Sequence, residues 1–322
     1  MNRERITYID TAKGIGIILV MLSHISTIGD LPLFCEWGGY VLTFYMPFFF
    51  LLSGIFFGER NLAKRVLRLL IPFIFFFFAA FVIKAILSVL GHHPIQWSQL
   101  IEPITGSYPY RVNPPIWFLQ ALIIQSVIGA LVLRIRQKVV VIVVSMLIGV
   151  AGYILGTIYD FNKYYLASSF LAFPFFAGGL LMRTELLTKR KPWLYYTIFS
   201  LSVILFAITK GDNLVNVSLA RVPCGFVPFI IIAFAASYSL LGLCRALDEF
   251  KRTGVVLRFY GENSLIVLCT HMMIIFIPEV VALHISSNLI SILFVGIFLM
   301  IAEIPIILLT NKYLRRIIGK RK

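Results

Sequence analysis

Charge is scarce in this chain. Asp, Glu, Lys and Arg together make up 13% of its 322 residues, and 14 residues are acidic. Soluble domains carry about a quarter charged residues, so an ordinary water-exposed surface is excluded. Cysteine is scarce too: Cys35, Cys224, Cys244 and Cys269 are the four present. None stands at metal-ligand spacing, and a chain this long and apolar has no need of a disulfide framework. A single bridge between Cys35 and Cys224, both expected near one face, is left open. Histidine is limited to five residues. The pair His92-His93 has no other ligands nearby in sequence and is not by itself a metal signature. No metal site is expected. Internal repeats and low-complexity linkers are missing as well, so residues 1–322 are expected to form one domain.

What is present is apolar surface. The chain is 60% hydrophobic with a mean hydropathy of +0.93. No soluble core hides that much, so lipid is the solvent. The fold class expected is an all-α, polytopic membrane helical bundle with about ten spans, at 12–28, 37–57, 69–90, 116–133, 139–158, 164–182, 193–209, 222–243, 264–283 and 289–310. The first apolar run lacks a small-residue cleavage site and reads as a retained span, not a signal peptide.

The net charge of +15 does not point to nucleic acid, because a nucleic-acid binder gathers its charge on one water-exposed domain. Here the basic residues lie in short stretches between apolar runs. Of the 29, 24 fall in alternate segments, such as Lys64, Arg65 and Arg68, or Arg315 and Arg316; Arg111, Lys163, Lys210 and Arg221 fall in the opposite set. By the positive-inside rule both termini are cytoplasmic and the chain is a multi-pass protein, with the cell (inner or plasma) membrane the expected location.

Ionisable residues inside a bilayer are costly, so each is a functional candidate. His24 in the first span is the sharpest. Lys13 precedes it by eleven residues, about three helical turns and about 16 Å of rise, so both share a face. Lys13 sits at the cytoplasmic mouth and His24 near mid-membrane. A thin donor with phosphates at one end and a reactive group at the other, as in coenzyme A, fits that span. The plainer alternative is a buried histidine bonded to a neighbouring helix. Arg65 and Arg68, three residues apart, share a face at the start of the third span, and arginine forks bind phosphate well. Asp10 lies too far from His24 to orient it and is expected to pair with a base at the mouth. Lys84 is expected to snorkel outward, Glu303 to make an interhelical hydrogen bond, and His271 to be a second polar group near the site. The outer loop 91–115, rich in aromatic residues, suits either a sugar or an ordinary interfacial belt.

At this point the chain resembles a family. "RITYIDTAKGIGIILVMLSH" at 5–24 is similar to the opening of the acyltransferase 3 family of integral membrane proteins, especially its fucose 4-O-acetylase-like branch. Lys13 and His24 match its basic residue followed, after ten others, by a histidine; Arg65 and Arg68 match its R-x-x-R motif. "FYMPFFFLLSG" at 44–54, "PPIWFLQAL" at 114–122 with Trp117, and "GENSLIVLCTH" at 261–271 resemble its later elements. The chain departs from the pattern at Ser23, where the branch often has glycine, and at Lys13, where many relatives have arginine. The resemblance implies ten spans and an O-acetyltransferase with His24 as general base. Lys13, Arg65 and Arg68 would hold the phosphates of acetyl-CoA, the donor substrate, with no separate cofactor. A sugar or glycan hydroxyl would be the acceptor. A transporter or flippase is the rival class: Pro47, Pro174, Pro228 and Pro305 interrupt spans, but no internal repeat accompanies them. A non-catalytic partner in an envelope assembly is a third.

Overall fold

Without water, a backbone must satisfy its own polar groups, and a helix does so within one segment. The computed structural model describes residues 6–25, 32–58, 61–132, 134–188, 190–209, 214–248, 254–282, 284–285 and 288–320. Among these, every regular element is helical except one isolated bridge between Asn216 and Arg221. The principal helices are α1 (Thr7–Leu22), α2 (Pro32–Ile55), α3 (Leu62–Leu90), α4 (Trp117–Val132), α5 (Lys138–Tyr153), α6 (Leu166–Leu181), α7 (Pro192–Thr209), α8 (Phe226–Asp248), α9 (Val255–Glu262), α10 (Ser264–Ile274), α11 (Phe276–Ala282) and α12 (Asn288–Tyr313). Among the described residues eight helices are long and apolar enough to cross a membrane, and α10 with α11 makes a ninth if that bent pair is one span. Helix α1, at 16 residues, is shorter than these, so eight or nine spans stand against the ten expected. The chain is a polytopic helical membrane protein.

Helices α2, α4 and α6 are mostly buried, whereas α3, α5, α7 and α12 turn most of their length outward. Their outer faces carry Ile74 and Val82, Val143 and Leu147, Leu201 and Ile208, and Ile301 and Leu308, all exposed and all suited to lipid. Inside, helices cross at glycine. A Cβ on Gly54 would stand 1.9 Å from the Phe176 carbonyl oxygen, and one on Gly179 would stand 2.0 Å from that of Leu51, so α2 and α6 touch backbone to backbone. The same reciprocity joins α1 to α9: Gly14 faces the Leu257 oxygen at 1.9 Å and Gly261 faces the Asp10 oxygen at 1.7 Å.

Two expectations shift. The ninth span is not one straight helix: α10 and α11 meet at 47°. Pro278 has no N–H for the Ile274 carbonyl four residues earlier, and its ring crowds that carbonyl. The first span runs from Thr7, not 12, and its helix ends at Leu22; residues 26–28 lie outside the described residues. The added turn is held because Tyr8, Ile9, Asp10 and Thr11 are buried, the face that meets α9. A bridge from Cys224 is also corrected, because Cys224 is a free thiol; the Cys35 side chain lies outside the described residues. So do Arg3, Arg5, Arg60, Lys189, Lys210, Lys251, Arg252, Arg321 and Lys322 of the basic set.

The loop at 91–115 is built around buried Glu102. Its carboxylate accepts the Arg111 backbone N–H at 2.9 Å, and Lys84 donates to the Arg111 carbonyl at 3.0 Å. Lys84 therefore ties the loop down where snorkelling alone was expected. The charge pattern predicts that this loop is outside. Ser107, exposed on it, offers a test: Ser107→Cys should react with a membrane-impermeant maleimide in intact cells, and Thr188→Cys only after permeabilisation. The reverse result would invert the topology.

Candidate functional site

The helix that carries His24 ends in an unusual way. The His24 N–H turns to the Met21 carbonyl, leaving the Val20 carbonyl without its usual backbone partner. Ser23 Oγ donates to that Val20 oxygen at 2.8 Å, and His24 Nδ1 lies 2.7 Å from it. A carbonyl only accepts, so His24 Nδ1 carries the hydrogen and Nε2 is left with a lone pair. The sequence put His24 in mid-helix; it stands instead on the turn just past α1, where its own side chain caps the helix.

His271 meets it from α10. The two ring centroids are 5.1 Å apart with planes at 65°. His271 is fully buried, and its Nδ1 is 2.7 Å from the Val267 carbonyl. The neighbouring residues are pinned from two sides. Asn113 Nδ2, from the loop before α4, donates to the Cys269 carbonyl at 2.9 Å. Thr270 Oγ1 lies 2.9 Å from both carboxylate oxygens of Glu303 on α12. Glu303 thus makes the interhelical bond expected of it. Asn113, fully buried, was missed: nothing in an N-P-P turn announces a long-range partner.

At the end of the bundle where α1 begins, a cavity of about 1070 Å³ opens between α1, α2, α3, α4, α10 and the C-terminal segment. Lys13, Lys64, Arg65 and Arg68 line it, so the three cations singled out by sequence do converge, with Lys64 beside them. Asp10 pairs with Lys13 at 3.4 Å, as expected of a carboxylate at the mouth. Arg65 is half-buried: Nε donates to Ser126 Oγ at 2.9 Å, Nη2 to the Ser53 carbonyl at 3.3 Å, and the guanidinium lies over Phe57 at 4.8 Å. Arg68 is exposed. Past α12 the chain folds back, and Ile318 and Gly319 close one side beside Arg68; Gly319 turns there with φ +71°.

Deeper in, the wall is apolar: Ile17, Met46, Phe49, Phe118, Leu122 and Leu268. Its lining stops at Ile17 on α1 and Leu268 on α10, one helical turn short of His271 and two turns short of His24. Trp117 does not reach the cavity. It is buried in the aromatic core, stacked on Tyr165 at 5.8 Å and packed on Phe50. Lys64, Ser126 and Ile318 lay beyond the sequence reading. The basic loop hinted only at Lys64.

No curated protein and no solved structure matches this chain. The model of one family, described as an acyltransferase domain, matches residues 6–309, nearly the whole chain and all the helices that build the two-histidine contact and the basic cavity. The protein therefore belongs to the acyltransferase 3 family and is a membrane acyltransferase.

Proposed function

We propose that this acyltransferase moves an acetyl group from acetyl-CoA to a hydroxyl of a cell-envelope or exopolysaccharide sugar, in the cell membrane, as a member of the fucose 4-O-acetylase-like branch. The observation that carries the reading is the cavity with four cations at its mouth and an apolar wall inside. Coenzyme A is divided the same way, with charged phosphates followed by a thin pantetheine arm that ends in the thioester. Arg65 favours a bound anion, because among the described residues no carboxylate lies within ion-pair distance of it. Guanidinium forks suit phosphate oxygens. The arm would run between Met46, Phe49, Phe118 and Leu268 towards the histidines.

A sugar hydroxyl is a weak nucleophile and needs a base within hydrogen-bond reach. His24 is that base in this reading. Its Nε2 takes the hydroxyl proton while the oxygen attacks the thioester carbonyl; the C–S bond then breaks and the sulfur leaves as the CoA thiol. Transfer through an acetyl-histidine is the alternative route to the same products. Mass spectrometry of envelope polysaccharide from cells with and without the protein tests the reading. Loss of an acetyl ester supports it, and an unchanged glycan rejects the acceptor class.

The donor site has its own test. Arg68→Ala should weaken CoA binding by roughly 10-fold or more, since a charge-assisted hydrogen bond contributes about 1.5–3 kcal/mol. Arg68→Lys should recover only part, because lysine keeps the charge without the fork. Arg134→Ala and Arg190→Ala, outside the cavity, should leave affinity unchanged. Calorimetry of purified protein in nanodiscs reads all four. Wild-type affinity in Arg65, Arg68 and Lys13 variants alike would move the donor site elsewhere.

A further inference from the structure

His24 and His271 come from opposite ends of the chain, yet their rings are in contact. Both use Nδ1 in the same way, on a carbonyl four residues earlier. Both therefore present Nε2 as a lone pair. In His271 that Nε2 is buried and has no hydrogen-bond partner among the described residues. A buried acceptor left unpaired loses the hydrogen bond it makes in water, and such a group calls for an explanation. Poor packing is not one. Residues 269 and 270 are fixed by Asn113 and Glu303, and the His271 ring itself is anchored through Nδ1. The lone pair is held rigidly beside the one ring that gains an N–H during the reaction proposed above.

We propose that His271 is a positioning residue that acts through His24: its neutral ring, with the Nε2 lone pair unprotonated, lies against His24 and stabilises the imidazolium that forms while the proton is in transit. The inference rests on His24 being the base. The acceptor O–H breaks and its proton goes to His24 Nε2 as the oxygen bonds to the thioester carbon. The C–S bond breaks, and the proton passes from His24 to the leaving sulfur. His271 is neutral before and after, and no proton is gained or lost overall.

The test uses the full-length protein in membrane vesicles from its own host, with acetyl-CoA labelled in the acetyl group and label counted in the glycan fraction. His271→Ala should lower kcat at least 10-fold with KM for acetyl-CoA within twofold of wild type. His271→Asn, whose amide can still donate to the Val267 carbonyl, should be as slow, and it carries the test if the alanine variant fails to fold. His271→Gln, which sets a polar atom near the lost Nε2, should recover part of the rate. The double variant with His24→Ala should be no slower than His24→Ala alone, since residues acting as a unit are not additive. Wild-type kcat in folded His271→Ala or His271→Asn, or losses that multiply in the double variant, would overturn the pairing. Normal turnover in His24→Ala would instead reject the base, and with it the reading on which the pairing rests.

Discussion

Replacing His24 by alanine should lower acetyl transfer by roughly 10²–10⁴-fold, the usual scale for loss of a general base, while insertion, expression and CoA affinity stay normal. The separation of activity from folding follows from the local geometry. The Val20 carbonyl that His24 holds is also held by Ser23 Oγ at 2.8 Å, so the helix end keeps a cap when the imidazole is gone. The cations that would bind the donor lie about two turns or more towards the start of α1 and on α3, and they do not touch the ring. His24→Asn sharpens the experiment: it can keep a donor near the Nδ1 position but offers no base, and should be as inactive as alanine. Labelled acetyl-CoA with vesicle glycan gives the rate, and size-exclusion chromatography gives the fold. Turnover at the wild-type rate in either variant would rule His24 out.

The second large effect is structural. Gly14→Val and Gly261→Val should each lower the melting temperature of the purified protein markedly and abolish transfer. A Cβ at either position would lie under 2 Å from a backbone oxygen, that of Leu257 or Asp10. Backbone cannot swing aside as a flexible side chain can, so α1 and α9 must separate. Overpacking of this kind costs typically about 1–3 kcal/mol, and here the displaced helix bears Lys13 and leads into His24. Gly254→Ala is the control, because its nearest neighbours would be 3.5 Å away, an ordinary contact. Thermal unfolding followed by tryptophan fluorescence in detergent reads the difference. If the Gly14 and Gly261 variants melt with the parent, the two helices are not in backbone contact.

Hydropathy made the spans legible because membrane insertion is decided by composition along about 20 residues; the basic loops gave orientation, and Lys13, Arg65 and Arg68 were singled out by the family resemblance. Lys13, Arg65 and Arg68 line one cavity, but that the first and third spans share it could not be read from the sequence. What the sequence concealed depends on pairing between distant segments. The opening turn of α1, with Thr7, Asp10 and Thr11, looks too polar to belong to a span until α9 is seen to cover it. His24 looked mid-helical because no pattern of residue types announces that a histidine and a serine will take over one carbonyl. Trp117 was picked out by its motif, yet its ring serves the core. The bend at Ile275 was foreshadowed by Pro278, but a hydropathy window averages across a proline without registering it.

The crossing of α1 with α9 also sets an order of events during synthesis. Helix α1 emerges long before α9, which begins at Val255. A ribosome adds roughly 5–20 residues per second, so the glycine face of α1 waits on the order of tens of seconds for its partner. Throughout that time the newborn helix lacks the α9 backbone that crosses it at Gly14, and the cavity, which also needs α10, is incomplete. A chain assembled in this order has no complete cavity until α10 has been made, and one truncated before Val255 would insert without assembling it.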